Sequence, residues 1–275
     1  MEYILIIAIC FGASLIGSIC GIGGGVIIKP MMDATSTYGV SAISFLSGCT
    51  VLSMTAFSIA REVGRKRLKE GSNISLILAP GAAIGGILGK IIFTAMRAGA
   101  ENDFGIGVIQ SVVLFVITAG TFVYTLLKER VRKRNITNTA WISAIGGVLG
   151  MVSAFLGIGG GPINILVLSY CFSMKTKDAA RCSLFIIFLS QLTSLFTTLI
   201  TCTVPSVNPM LLLSMVVMGV AGGAAGRRIN DMINQRAVDV LFISLLLVIM
   251  GITLYNCGHN ASLLTAMTRP HGSVN

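Results

Sequence analysis

Eight long apolar segments constrain the fold of this chain more than any other feature. Two of them, Ile4 to Ile28 and Phe104 to Leu127, contain no lysine, arginine or glutamate. A helix of about 20 apolar residues crosses a membrane, and only 11% of the chain is charged, against roughly 25% in soluble domains. We therefore predict an all-α, multi-pass protein of the cell (plasma or inner) membrane. The segments span residues 4–33, 39–60, 73–96, 104–127, 139–172, 179–204, 208–226 and 237–257.

The chain also contains an internal repeat. The sequence GIGGG occurs at residues 21–25 and again at 157–161, and GGILGK at 85–90 aligns with GGAAGR at 222–227. Matches in the same order at a nearly constant offset indicate a duplicated unit. Two weaker matches pair residues 42–46 with 180–184, and Gly120 and Tyr124 with Gly251 and Tyr255. We predict a first transmembrane repeat at 1–134, a second at 138–258 and a C-terminal tail at 259–275.

The first segment of each half is too long for one crossing, and its glycine cluster divides it. If each broken segment crosses the membrane once, the two halves have the same orientation. If each forms a hairpin, the second half is inverted relative to the first. Sixteen of the 20 basic residues lie in four loops, and only hairpins place all four loops on one side, as the positive-inside rule favours. The predicted fold is therefore two inverted-topology repeats, each a glycine-broken hairpin of half-helices plus three transmembrane helices. The basic loops are 61–72, 128–138, 173–181 and 227–236.

Each hairpin predicts a helix start near the middle of the membrane. Arms of about 12 to 16 residues would reach the bilayer midplane at a rise of about 1.5 Å per residue. Non-helical backbone at that depth must be buried in protein or face a water-filled cavity. Pro162 favours a helix start near Gly161, and its counterpart lies near Gly25. Free N–H groups and the positive end of the helix dipole make such starts suitable for an anion.

The polar residues deep in the segments are neutral, and no Asp or Glu lies deep in any of them. Hydroxyl and amide groups can donate to an oxyanion, whereas a cation site or proton pathway usually has buried carboxylates. Lys29 either attracts anions or extends to the outer interface, and Lys90 and Arg227 are interpreted as interfacial anchors. The predicted substrate-binding residues are Gly21, Gly23, Gly24, Gly25, Gly157, Gly159, Gly160, Gly161, Asn164, Ser44 and Ser183.

Other functional classes fit the sequence poorly. The seven cysteines form no CxxC pair, and neither histidine has a ligand partner at suitable spacing, so no metal and no cofactor is predicted. The spans hold no catalytic set, and no GxxxxGK[ST] nucleotide-binding motif occurs, so an enzyme is not expected. The net charge of +10 is explained by loop topology rather than by nucleic-acid binding. The spacing of Gly85 and Gly89, repeated at Gly222 and Gly226, predicts close helix packing.

The two glycine clusters, Pro30, Pro162 and the two-half layout resemble the sulfite exporter TauE/SafE family, also called the toluene-sulfonate uptake permease family. Residues 180–184 are also similar to the stretch of a small residue followed by Ser-Leu in that family's next helix. The resemblance implies transport of sulfite, sulfonates, sulfoacetate, thiosulfate or related anions.

The predicted function is therefore a secondary transporter that exports a small sulfur-containing anion by alternating access around the paired hairpins. The alternative is a passive anion channel on the same scaffold. The predicted partners are this anion and the lipid bilayer. The exact substrate, the direction, the coupling ion and any homo-oligomeric state stay open.

Overall fold

The computed structural model describes residues 2–64, 72–99, 103–128 and 135–268, and within them the chain forms ten α-helices and no strand. Eight basic residues of the predicted topology signal lie outside these ranges: Arg65, Lys66, Arg67, Lys69, Arg130, Arg132, Lys133 and Arg134. The helices are α1 (Glu2–Cys20), α2 (Gly25–Thr35), α3 (Val40–Gly64), α4 (Ser72–Ala98), α5 (Asp103–Leu127), α6 (Thr139–Leu156), α7 (Gly161–Phe172), α8 (Thr176–Ile200), α9 (Pro209–Met232) and α10 (Gln235–Thr268).

Eight of the described helices are long and apolar enough to cross a membrane, and α2 and α7 are too short. The predicted all-α, multi-pass architecture is therefore confirmed. Each over-long first segment is broken at its glycine cluster, as the sequence predicts. The last helix continues to Thr268, so its final turns fall in the segment that the sequence assigns to the tail.

The two arms of each broken segment are unequal, which differs from the expected 12 to 16 residues. The first arms, α1 and α6, contain 19 and 18 residues, and the returning arms, α2 and α7, contain 11 and 12. The chain nevertheless turns back at the first cluster, because a β-carbon placed at Gly17 would lie 2.6 Å from the backbone nitrogen of Gly24. The returning helix thus starts beside the last turns of α1 rather than beyond its end.

The described residues that flank or belong to the four basic loops lie together at one end of the bundle. Glu62 at the end of α3 forms ion pairs with Arg227 of α9 and, at 3.7 Å, with Arg181 of α8. Lys128 at the end of α5 bonds Asp239 of α10 at 2.8 Å. If each broken segment crossed only once, residues 173–181 and 227–236 would lie at the opposite end from Glu62 and Lys128. These contacts therefore fit the hairpin arrangement.

The opposite end of the bundle holds a cavity of about 530 Å³. Its walls come from the loop before α3, from Arg97 near the end of α4 and from residues 203–206 after α8. The hairpin arrangement also requires these three regions to lie together. The inverted relation of the two halves stays a prediction.

Glycines allow the two closest helix pairs to form. Gly85 of α4 abuts the carbonyl oxygen of Gly147 in α6, and Gly89 abuts that of Met151. In the other pair, Gly222 of α9 abuts the carbonyl oxygen of Phe11 in α1. A β-carbon at any of these positions would collide with backbone, so the packing interpretation of the glycine spacing is confirmed.

Candidate functional site

The two glycine clusters form turns that only glycine adopts readily. Positive φ angles occur at Gly21 (74°), Gly23 (74°), Gly157 (65°), Gly159 (86°) and Gly160 (66°). In this left-handed region an L-residue with a side chain has a conformational energy cost of about 1–2 kcal/mol. The turns are not identical, since Gly24 has a right-handed φ of −65° where its counterpart Gly160 is left-handed.

The two turns contact each other inside the protein. A β-carbon at Gly25, the first residue of α2, would lie 2.5 Å from the carbonyl oxygen of Ile158, and Gly161, the first residue of α7, abuts the carbonyl oxygen of Ile22. The side chains of Val51 and Ile187 pack beside both Gly23 and Gly159. The structure thus brings together the eight predicted glycines and the starts of both half-helices.

Both half-helices begin without a side-chain cap. The residues before them, Gly24 and Gly160, provide no cap hydrogen bond, whereas Asn138 caps α6 through Ala140 and Asn208 caps α9. A helix start has up to four N–H groups without an intrahelical partner, and leaving them buried costs free energy. The two uncapped starts are buried, so a ligand with acceptor atoms would stabilise them.

Serine hydroxyls without partners surround the same turns. A β-carbon at Gly24 would lie 2.9 Å from Oγ of Ser14, one at Gly160 2.6 Å from Oγ of Ser153, and one at Gly157 3.1 Å from Oγ of Ser44. All three hydroxyl oxygens are buried and have no hydrogen-bond partner within the described residues. Buried polar groups in proteins normally have partners, so these hydroxyls are available to a bound molecule.

Asn164 and Ser183 meet beside the second turn. The amide nitrogen of Asn164 donates to the hydroxyl of Ser183 at 3.3 Å, and its Oδ1 has no partner among the described residues. Both side chains are completely buried. The structure therefore brings these two predicted residues into contact with each other, whereas Ser44 lies at the other side of the turn, against Gly157.

The structural repeat pairs serines differently from the sequence comparison. Gly21 abuts Ala180 and its counterpart Gly157 abuts Ser44, so Ala180 occupies the position equivalent to Ser44. The offset in residue number between Ser44 and Ala180 also makes Ser47 the counterpart of Ser183. The hydroxyl of Ser47 is likewise buried and has no described partner. The sequence match between residues 42–46 and 180–184 is therefore out of register with the structural repeat.

The side chain of Lys29 does not extend to the outer interface, and it is not exposed towards the glycine turns. Its side chain is only 3% exposed, and Nζ donates to Oε1 of Gln110 at 2.6 Å and to the carbonyl oxygen of Leu156 at 2.7 Å. Gln110 in turn donates to the carbonyl oxygen of Phe155 at 2.7 Å. These two residues satisfy the last carbonyl groups of α6, directly before the second glycine turn.

Three groups of this site are absent from the substrate-binding residues predicted from the sequence. Ser14 and Gln110 lie neither in a glycine motif nor in a repeat match. Ser153 is recognisable as a deep polar residue, but only the fold shows that its hydroxyl faces Gly160. Among the described residues, no cluster of histidine, cysteine and carboxylate side chains could hold a metal ion.

Two half-helices with uncapped starts meet inside a bundle of membrane-length helices, which is an architecture typical of multi-pass membrane transporters. The chain belongs to the sulfite exporter TauE/SafE family, which matches residues 6–254. It is 23% identical over 282 residues to the probable membrane transporter protein YunE of Bacillus subtilis (strain 168), covering 91% of this chain and 96% of that protein. No solved structure matches the chain. The predictions of the family and of a transporter rather than an enzyme are confirmed.

Proposed function

We propose that the protein is a secondary transporter of a small sulfur-containing oxyanion of the sulfite, thiosulfate or sulfonate class, which binds between the starts of α2 and α7. The observation that carries this proposal is the pair of buried, uncapped helix starts in mutual contact. The positive ends of two helix dipoles and their free N–H groups favour an anion. The hydroxyls of Ser14, Ser44 and Ser153 add donors without adding charge.

The sulfur class of the substrate rests on the family. Oxyanions of sulfur carry several acceptor oxygens on one small centre, which suits donors converging from two helix starts and several serines. Asn164 can present either its amide nitrogen or its unpartnered oxygen to such a ligand.

Transport follows from the arrangement of the two ends. The halves are inverted repeats in this proposal, and the end with the basic loops faces the cytoplasm. Glu62 and Arg227 join the two halves at that end, whereas the opposite end has the cavity of about 530 Å³. Movement of one half against the other would open the basic end and close the end that has the cavity, and the reverse movement would carry the anion outward.

Flux into proteoliposomes tests the proposal. We expect saturable uptake of sulfite, thiosulfate or a short sulfonate, stimulated by the same anion on the opposite side, and we would measure it with and without a pH gradient. The variant Asn164→Leu should reduce flux at least tenfold, and Gly120→Ala, at a position with no neighbour within 4 Å, should leave it unchanged. Continuous conduction in a bilayer recording would indicate a passive channel instead, and transport of none of these anions would overturn the substrate class.

A further inference from the structure

A second, smaller cavity lies between α3, α4 and α8 on the side of the glycine turns that faces the large cavity. Its volume is about 30 Å³, enough for roughly two water-sized groups. It touches the site described above through Ser44, which lies against Gly157. Its walls include Ser44, Cys49, Lys90, Gln191, Ser194 and Thr198.

Lys90 is the unusual residue of this cavity. Its side chain has no hydrogen bond or ion pair with any described residue, and Nζ lies 5.1 Å from the centre of the Phe93 ring. Its counterpart in the second half, Arg227, is instead paired with Glu62. An ammonium group inside a membrane bundle without a carboxylate partner is costly, and such residues usually serve an ion pathway.

The other walls of the cavity favour an anion as the partner of Lys90. Oγ of Ser44 is buried without a described partner, and Ser194 adds a second hydroxyl. Gln191, only 4% exposed, is held by its donation to the carbonyl oxygen of Ser153 at 3.3 Å. The cavity therefore offers one cation and several donors but no described carboxylate.

We infer that this cavity is an access subsite, in which Lys90 holds a small oxyanion before it reaches the turn at Gly157. The inference rests on the proposed function and extends it. The large cavity, lined by Ser41, Ala42 and Arg97, lies one turn nearer the start of α3 than the small one. Arg97, Lys90 and the glycine turn thus form three successive positive positions, which attract an anion and desolvate it in stages. Lys90 is accordingly a binding residue and not an interfacial anchor.

Thiol labelling tests the subsite without depending on transport. The reporter is Ser194→Cys in a full-length, reconstituted chain that also carries Cys49→Ser. We would measure its modification by the anionic reagent 2-sulfonatoethyl methanethiosulfonate and by the cationic 2-(trimethylammonium)ethyl methanethiosulfonate, using mass spectrometry of the peptide that contains residue 194. The anionic reagent should react at least fivefold faster, and added Lys90→Gln should remove this preference.

Two control variants separate charge from structure. Lys90→Arg should keep the preference, and Arg228→Gln, which removes an exposed cation at the opposite end, should leave it unchanged. Equal reaction of both reagents, no reaction of either, or a preference that survives Lys90→Gln would overturn the inference. If the preference depends on Lys90 but sulfite does not slow the labelling, the subsite stands and sulfite is excluded as its ligand.

Discussion

Nζ of Lys29 in α2 lies 2.7 Å from the carbonyl oxygen of Leu156, the last residue of α6. This contact joins the returning arm of one broken segment to the first arm of the other. It also places a positive charge at the negative end of the α6 dipole, immediately before Gly157. The lysine therefore stabilises the end of one helix and fixes the position at which the second glycine turn begins.

Replacing Lys29 with methionine should destabilise the protein. The substitution leaves the carbonyl of Leu156 and Oε1 of Gln110 buried without a donor, and hydrogen bonds to charged groups contribute about 1.5–3 kcal/mol each. We expect a clear decrease in the thermal unfolding temperature in detergent. The matched control is Lys128→Met, whose partly exposed bond to Asp239 should contribute only about 0–1 kcal/mol. Equal stability of the two variants would contradict the role of Lys29.

The contrast between Lys29 and the glycine turns shows what the sequence could predict. Apolar length and the GIGGG repeat reveal where the chain breaks, because these signals are local. The partner of Lys29 is 127 residues away, on a helix of the other half, and no local pattern reports that contact. For the same reason the sequence leaves Lys29 between two interpretations. Its buried contacts exclude the outer interface, and the attraction of anions stays a prediction.

The serines illustrate a second limit. Ser44 and Ser183 both lie at the site, but the structural repeat pairs Ser183 with Ser47. A short match of small residues can slide by two or three positions without loss of similarity, whereas packing against Gly21 and Gly157 permits only one register. Ser14 has no such match, since its counterpart is a glycine, Gly150.

A substitution at Gly160 should abolish transport without preventing membrane insertion. Gly160→Ala places a side chain at φ 66°, with its β-carbon 2.6 Å from Oγ of Ser153. The left-handed conformation alone costs about 1–2 kcal/mol, and the contact would displace the start of α7. We expect anion flux to fall at least tenfold, measured in proteoliposomes at equal protein content. Normal flux through Gly160→Leu, a bulkier variant, would show that this turn does not form the site.

The glycines Gly120 and Gly251 provide controls for that experiment. A β-carbon at either position would meet no atom within 4 Å. Alanine at these positions should leave flux unchanged and should slightly stabilise the helices, because alanine has the higher helix propensity by about 1 kcal/mol.

The ion pair between Glu62 and Arg227 should control access from the basic end of the bundle. Their side chains are 16% and 8% exposed, and removing one member of a buried pair costs about 3–5 kcal/mol. Glu62→Gln should therefore favour conformations in which this end opens. We expect Cys20, which is fully buried, to react with a thiol reagent about tenfold faster from the basic side. Glu62→Asp, which keeps a carboxylate beside Arg227 and Arg181, should retain most of the protection. Unchanged labelling in Glu62→Gln would argue against this closure.

The orientation of the chain follows from the same grouping of loops. If the broken segments form hairpins, the start of α1 and the end of α10 both lie on the side opposite to the basic loops. Reporters attached at each terminus should therefore give an external signal, and a reporter inserted in residues 128–138 should give a cytoplasmic one, because the positive-inside rule retains the basic loops. We would use paired fusions that are active on only one side of the membrane, with an insertion in residues 203–206 as an additional external position.

Cytoplasmic signals from both termini would mean that each broken segment crosses the membrane. The contacts of Glu62 with Arg181 and of Lys128 with Asp239 would then be impossible in the membrane.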